Sequence, residues 1–189
     1  MTGYLNFYNW LHSNYSGSLF GKPPYLDYLE LRETRKALHV GDVKYWDSNE
    51  TVFRRLSSDI IVSMAANLTA LIPHYKVMLF VGNLDMLVGP AQVNKMLENP
   101  GNNNDLVKNY LIFNLLPQKE WKYYKDFYSA KRVVWKVSKN DPEVSGYAKS
   151  FGQFIEVLVR NAGHSVHKDQ PRSDFDMIRR FIYNFPFES

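Results

Sequence analysis

The sequence predicts an α/β fold, and three observations support that prediction. Two short apolar runs, residues 75–81 and 155–159, have the length and composition of buried strands, and each stops at small or polar turn residues. Stretches with helical apolar periodicity precede, separate and follow these runs. The resulting order of helices, strand, helices, strand pair and helix is typical of a layered α/β domain with a helical segment in front.

The composition limits the classes of protein to be considered. A chain of 189 residues can bury a sizeable core and is predicted to form one domain. Hydrophobic residues at 45% and aromatic residues at 15% exclude a disordered protein. The net charge of +4 is modest, and basic residues are scattered among acidic ones, which argues against nucleic-acid binding. No apolar run approaches the roughly 18 residues of a membrane span, and residues 1–4 do not resemble a signal peptide.

Cysteine is absent from the sequence. A disulfide framework, a thiolate zinc site and a cysteine nucleophile are therefore excluded. Asn-x-Ser/Thr sequons begin at Asn14, Asn49 and Asn67, which makes these residues candidates for N-glycosylation. In an asparagine-rich chain some sequons arise by chance, so they indicate secretion only weakly.

Residues 1–73 are predicted to be a mainly helical segment. Residues 1–25 are aromatic and rich in turn residues, and they form an irregular lead-in. Leucines at helical spacing beside a charged face predict a helix over 25–40. After a polar connection at 41–50, a stronger helical stripe begins at Ile60 and stops at Pro73.

Residues 74–189 are predicted to contain the sheet. Gly82-Asn83 ends the strand at 75–81, and Gly89-Pro90 then opens a helix with proline at its first position. After a loop at 100–104 a further helical stretch is predicted as far as Leu116.

A second group of strands and a final helix complete the prediction. Apolar residues alternate with others over 133–137, which predicts a half-buried strand, and a turn at 140–142 and Gly146 then leads into the strand at 155–159. Ser173 is predicted to cap the last helix, with Asp176 three residues on. The residues predicted to face inward from that helix are Met177, Ile178, Phe181 and Ile182.

The ends of the two predicted strands carry polar residues on tight turns. Asp85 follows the first strand and His164 follows the second. An aspartate followed by a histidine at strand ends is the order of the last two members of an α/β-hydrolase triad. In such a triad the histidine accepts a proton from a serine hydroxyl, and the carboxylate fixes the histidine tautomer and stabilises the imidazolium. Each residue alone also has a structural interpretation, as a turn aspartate or a structural histidine.

Several longer segments resemble the serine carboxypeptidases of peptidase family S10. Residues 77–88 are similar to that family's strand-and-aspartate segment, and residues 161–171, with Val134-Trp135 and 144–147, to its histidine region. Residues 31–40 and 175–183 are similar to two of its helices. The segments resemble the vitellogenic-like branch of the family. The likeness extends over the whole chain, so the chain resembles the C-terminal part of such an enzyme.

The resemblance implies an α/β-hydrolase fold with a helical cap, and removal of C-terminal residues from peptide substrates at acidic pH without a cofactor. It implies that Asp85 and His164 are catalytic and that Gly163 shapes the turn presenting the ring. It also implies a secreted or lysosomal location. The chain departs from the family at His167, where proline is usual, and at Ala162, where glycine is usual.

The nucleophile expected from this resemblance is missing. In the family it lies in a Gly-x-Ser-x-Gly elbow, and this sequence contains no such motif. The main hypothesis is therefore a serine carboxypeptidase whose N-terminal half lies outside this chain and is its required partner. The chain alone is then expected to be inactive and poorly soluble, because its first strand would lack neighbours.

Two alternatives to that hypothesis are open. The first is a non-catalytic binding protein that has kept the fold and lost the reaction. The second is a metal site formed by His164, His167 and Asp169, which is disfavoured because no fourth ligand is visible in the sequence.

The sequence also predicts which carboxylate serves His164. Asp169 and Asp141 are nearer in sequence than Asp85, but triad members come from separate strand ends. An Asp85 oxygen is therefore predicted within about 3.5 Å of one ring nitrogen of His164. The other ring nitrogen is expected to face a cleft that no serine of this chain occupies.

Overall fold

The computed structural model describes residues 8–11, 25–43, 45, 49–60, 65–90 and 122–188. Helices α1 (Tyr25–Glu30), α2 (Arg32–Ala37), α3 (Glu50–Ile60) and α4 (Ala65–Leu71) come first. The next elements are β1 (Val77–Gly82), α5 (Tyr124–Ser129), β2 (Arg132–Trp135), β3 (Gly146–Phe151) and β4 (Phe154–Val159), and the last are α6 (Val166–Asp169) and α7 (Pro171–Tyr183).

The four strands form one mixed sheet in the order β1-β4-β3-β2. β1 pairs in parallel with β4, whereas β3 pairs antiparallel with both β4 and β2. Gly82 pairs with Val159, so the carboxyl ends of β1 and β4 lie side by side. The turns that follow these two strands are therefore neighbours, and this edge of the sheet is where ligands gather in open α/β sheets.

β4 is covered on both faces, as its apolar sequence predicts. Phe154, Val157 and Val159 are completely buried. Phe154 packs in a cluster with Ile72, Val81 and Phe127. On the other face of the sheet a second cluster contains Trp135, Ile155, Val157, Val159 and Met177. A continuous apolar run suits a strand with two covered faces, so the predicted strand at 155–159 is confirmed.

A buried carboxylate joins α7 to the sheet. Asp176 accepts hydrogen bonds from Trp135 Nε1 at 2.9 Å, from Arg179 at 3.0 Å and from Arg180 Nε at 2.5 Å. Burial by itself would raise the pKa of Asp176, but the hydrogen bonds from Arg180 and Trp135 hold this pKa below its usual value. The buried carboxylate of Asp176 therefore stays ionised at neutral pH.

The predicted helices near the N-terminus differ from the observed ones. The helix expected over 25–40 is divided into α1 and α2 at Leu31, whose ψ of 135° is extended. The sequence did not predict α3, although its apolar residues Val52, Phe53 and Leu56 have helical spacing. In the structure these three residues are exposed. The stripe expected from Ile60 corresponds in part to α4, and Ile72 is buried just beyond that helix.

The sequence did not predict β3 either, because Gly146 is a residue typical of turns. Gly146 lies inside the sheet, where an added Cβ would stand 2.1 Å from the carbonyl oxygen of Leu158. The glycine therefore permits close strand approach instead of a turn. The turn lies at Gly152, which has a φ of +57° and connects β3 to β4. The alternation predicted for β2 is confirmed, since Trp135 is buried and Val134 is exposed.

The predicted start and inward face of the last helix were wrong in part. α7 begins at Pro171 with Gln170 as N-cap, so Ser173 is not the cap but a buried residue of the first turn. Met177 is inward as predicted and Phe181 packs partly against the same cluster, but Ile178 and Ile182 are 37% and 60% exposed.

Some predictions lie outside the described residues. These are the course of the helix opened by Pro90, the helical stretch to Leu116 and most of the lead-in over 1–25. The division of the chain into a segment 1–73 and a segment 74–189 stays a prediction. Within the described ranges no helix has both the length and the apolar character needed to span a bilayer.

Candidate active site

Backbone hydrogen bonds join the turn after β1 to the turn after β4. Asn83 donates its N–H to the carbonyl of Val159 at 2.9 Å, and Leu84 donates to the carbonyl of Ala162 at 2.8 Å. The positions of Asp85 and His164 relative to each other therefore depend on main-chain contacts as well as on their side chains.

The two turns approach so closely that glycine is required at the contact. A Cβ on Gly82 would lie 2.2 Å from the carbonyl oxygen of Ala162. A Cβ on Gly163 would lie 2.2 Å from the carbonyl oxygen of Tyr8. Gly163 thus lets residues 8–11 pack closely against this turn, and its role in shaping the turn stays a prediction. The left-handed residue of the turn is Asn161, with a φ of 58°, and because Ala162 does not need a positive φ, alanine fits there.

Asp85 is the carboxylate that binds the His164 ring. Its Oδ2 lies 2.8 Å from Nδ1 of His164, so the predicted distance is confirmed. Its Oδ1 accepts the backbone N–H groups of Leu87 at 2.8 Å and Val88 at 3.0 Å. With both oxygens engaged and the side chain 3% exposed, the carboxylate is held in one orientation.

This arrangement determines the chemistry available to His164. An ionised carboxylate only accepts hydrogen bonds, so Nδ1 carries the proton in the neutral ring and Nε2 is left as an acceptor. The His164 side chain is 38% exposed. Among the described residues, Nε2 makes no hydrogen bond to a serine. The pair can therefore take up a proton from a group that reaches the exposed side of the ring.

Residues 8–11 lie against both turns, which sequence reasoning did not predict. The backbone carbonyl of Tyr8 accepts a hydrogen bond from the backbone N–H of His164 at 2.7 Å. The backbone N–H of Trp10 donates to the carbonyl of Leu84 at 3.3 Å. The Tyr8 ring packs edge-on against the His164 ring with centroids 5.4 Å apart. Because these contacts join residues more than 70 positions apart, no local pattern in the lead-in could have indicated them.

The other two carboxylates considered for His164 have different partners. Asp169 binds the backbone N–H of Gly163 at 2.7 Å through Oδ2, and the same oxygen accepts from Asn9 Nδ2 at 2.9 Å. Asp141 binds the Arg172 guanidinium at 2.9 and 3.1 Å and the N–H of Ser138 at 2.9 Å. Hydrogen bonds from Arg172 and then from Ser138 hold the pKa of Asp141 below its usual value.

The alternative of a metal site gains no support from the geometry. His167 is exposed on α6, and the Oδ2 atom of Asp169 already accepts two N–H groups. In the part of the chain that the structure describes, no group of three His, Asp or Glu side chains could hold a metal ion.

Two of the candidate glycosylation sites are described, and both are exposed. Asn49 precedes α3, and its Oδ1 accepts the backbone N–H of Val52 at 3.2 Å. Asn67 lies on α4. Asn14 lies outside the described residues. Use of any of these sequons stays a prediction.

The sequence is similar to carboxypeptidases from several animals. Residues 11–184 match the family model "Serine carboxypeptidase", peptidase S10. The probable serine carboxypeptidase CPVL of Mus musculus is 34% identical over 190 residues, which cover 100% of this chain and 34% of that protein. The venom serine carboxypeptidase of Apis mellifera is 31% identical, and 99% of this chain and 35% of that protein are covered.

A solved structure of a carboxypeptidase has a similar fold. Kex1Δp, a prohormone-processing carboxypeptidase from Saccharomyces cerevisiae, matches with a TM-score of 0.63 and 19% identity. The match covers 95% of this chain and 36% of that one. The chain thus has part of an α/β-hydrolase fold, and it spans about a third of the length of the relatives it matches. From the extent of the family match, the chain belongs to the serine carboxypeptidase family.

Proposed function

We propose that this chain is the C-terminal part of a serine-type carboxypeptidase and supplies the aspartate and histidine of its catalytic triad. The observation that supports this most directly is the 2.8 Å contact between Asp85 Oδ2 and His164 Nδ1. The contact lies at the carboxyl ends of two parallel strands, where such a pair is expected in this fold.

In the proposed reaction, Nε2 of His164 accepts the proton of a serine hydroxyl as its oxygen attacks the carbonyl of the last peptide bond. Asp85 stabilises the imidazolium that forms. The same proton then passes to the nitrogen of the departing C-terminal residue, and the acyl-enzyme is left for water to hydrolyse. The substrates are thus peptides with a free C-terminus.

The nucleophile has to come from outside this sequence. No Gly-x-Ser-x-Gly motif occurs among the 189 residues, and relatives such as the mouse protein are about three times as long. We assign the serine, the oxyanion donors and the groups that bind the substrate carboxylate to an N-terminal part of the same enzyme. The isolated chain is then inactive. The exposed sequons at Asn49 and Asn67 support a secreted or lysosomal enzyme.

The test is to assemble the chain with an N-terminal carboxypeptidase half carrying the Gly-x-Ser-x-Gly elbow and to measure release of C-terminal residues from blocked dipeptides. Activity should appear only in the assembly. Asp85→Asn should lower kcat by about 10⁴-fold, because an amide favours the wrong ring tautomer. Labelling of any serine in the isolated chain by a phosphonate would contradict the proposal.

A second candidate function is peptide binding without catalysis, which the absence of a nucleophile motif favours. The two candidates differ in one measurement. A folded assembly that binds peptides with a free C-terminus, but never releases a residue from them, would favour the binding protein.

A further inference from the structure

A second carboxylate lies beside the histidine turn and binds its backbone instead of its ring. Asp169 Oδ2 accepts the N–H of Gly163 at 2.7 Å, directly before His164 in the chain. The same oxygen accepts from Asn9 Nδ2 at 2.9 Å. Hydrogen bonds to an ionised acceptor are roughly twice as strong as neutral ones, so Asp169 is a firm anchor for this turn.

Asn9 is engaged at both ends of its amide. Its Oδ1 accepts the backbone N–H of Leu11 at 3.1 Å while its Nδ2 donates to Asp169, and the residue is only 6% exposed. A buried amide with both groups satisfied has one favoured orientation. The side chain therefore fixes the local course of residues 8–11 and ties this segment to α6.

The segment fixed in this way contacts both turns that carry the Asp–His pair. Tyr8 binds the N–H of His164 at 2.7 Å, and Trp10 binds the carbonyl of Leu84, next to Asp85, at 3.3 Å. A Cβ on Gly163 would also lie 2.6 Å from the Cβ of Asn9, so there is no free space between segment and turn.

We infer that Asn9 and Asp169 are positioning residues for the Asp85–His164 pair. They act through the backbone of Gly163 and of residues 8–11 and do not contact the ring atoms that exchange protons. This inference rests on the proposed catalytic function of the pair. Since a displacement of about 1 Å can cost about 100-fold in rate, anchoring of this turn would be felt in kcat.

The first test needs no activity. Isotope labelling of the histidine ring nitrogens in the full chain reports by NMR whether Nδ1 of His164 carries the proton. The wild-type chain should show an Nδ1–H signal that Asp85→Asn removes. Asp169→Ala and Asn9→Ala should lose that signal or broaden it beyond detection. Asp169→Asn retains an acceptor oxygen for the Gly163 N–H, so this variant should keep most of the Nδ1–H signal.

The control is Asp174→Ala, which removes a half-buried carboxylate from the first turn of α7. It should leave the Nδ1–H signal unchanged. If Asp169→Ala fails to fold, Asn9→Ala decides, because it leaves the bond between Asp169 and Gly163 in place. A folded Asn9→Ala chain with an unchanged Nδ1–H signal would overturn the inference.

The second test uses the assembled enzyme. Asp169→Ala and Asn9→Ala should lower kcat by about 10- to 100-fold with KM little changed, whereas Asp174→Ala should alter neither. Unchanged kcat in both folded variants would contradict a positioning role. A wild-type assembly without activity would refute the proposed catalysis. If Asp169→Ala and Asn9→Ala still lose the NMR signal in that case, the positioning role is supported. The two failures are therefore distinguishable.

Discussion

Leu84 donates its backbone N–H to the carbonyl of Ala162 at 2.8 Å, and this hydrogen bond joins the turn bearing Asp85 to the turn bearing His164. The two residues are 78 positions apart in the chain, and they meet because β1 and β4 are parallel neighbours. The distance between Asp85 and His164 therefore depends on the backbone of both turns at this edge of the sheet. Disturbing either turn should therefore disturb the pair.

Gly82→Ala should destabilise the fold by about 2 kcal/mol, because its new methyl group would overlap backbone atoms of the opposite turn. The added Cβ would stand 2.2 Å from the carbonyl oxygen of Ala162 and 2.3 Å from that of Gly163. Urea unfolding of the wild type and of Gly82→Ala measures this difference in the free energy of unfolding. Gly152→Asn is the matched control, since nothing lies within 4 Å there and asparagine tolerates the φ of +57°. Equal losses in both variants would contradict the steric argument.

Trp135→Phe should cost about 1 to 3 kcal/mol in the free energy of unfolding, because the buried Asp176 loses the indole N–H as a donor. Trp135 is completely buried and its Nε1 lies 2.9 Å from Asp176 Oδ2. A double-mutant cycle with Asp176→Ala, which leaves no acceptor for the indole N–H, separates this bond from the loss of ring volume. Strict additivity of the two substitutions would mean that the bond contributes nothing.

Stability should fall as the solution becomes acidic, in part through Asp176. Its folded-state pKa lies below its ordinary value because, against the effect of burial, Arg180 and Trp135 donate hydrogen bonds to it. The unfolded chain has a pKa of about 3.9 at this residue, so the stabilisation is complete above that pH and is lost as the pH falls through the folded value.

This acid dependence is measured by urea unfolding between about pH 6 and pH 3. Asp176→Asn should be less stable than wild type at pH 6 but should lose less stability on acidification. Some loss remains in that variant, because Arg172 lowers the pKa of Asp141 and Arg160 lowers that of Glu143. An equal loss in wild type and variant would exclude Asp176 as a source of the effect.

The isolated chain should associate through its apolar surface. Within the described residues β1 has a neighbour on one side only, and its Phe80 is 46% exposed. Unpaired edges with apolar side chains favour pairing between chains, and lysine on an edge opposes it. Phe80→Lys should therefore shift the chain toward monomer in size-exclusion chromatography, whereas Lys125→Arg, at an exposed position of α5, should not. A wild-type chain that elutes as a sharp monomer would refute the prediction.

The sequence by itself determined the parts of this protein that have a local chemical signature. A continuous apolar run indicated the buried strand at 155–159, and glycine with polar residues marked its end and that of β1. Those two strand ends were enough to predict that Asp85, and neither Asp141 nor Asp169, binds His164. Apolar periodicity also located the final helix, although not its first residue.

Only the tertiary structure decided the features that depend on distant residues. β3 is glycine-containing and partly polar, and it becomes a strand because β4 and β2 supply its hydrogen-bond partners. Ile178 and Ile182 have the spacing of a buried face, but what lies against each side of α7 decides their exposure. Asn9 and Asp169 are 160 positions apart, so their hydrogen bond leaves no periodicity or spacing in the sequence. Long-range contacts of this kind form only once the chain is folded, and they determine how the Asp85–His164 pair is held.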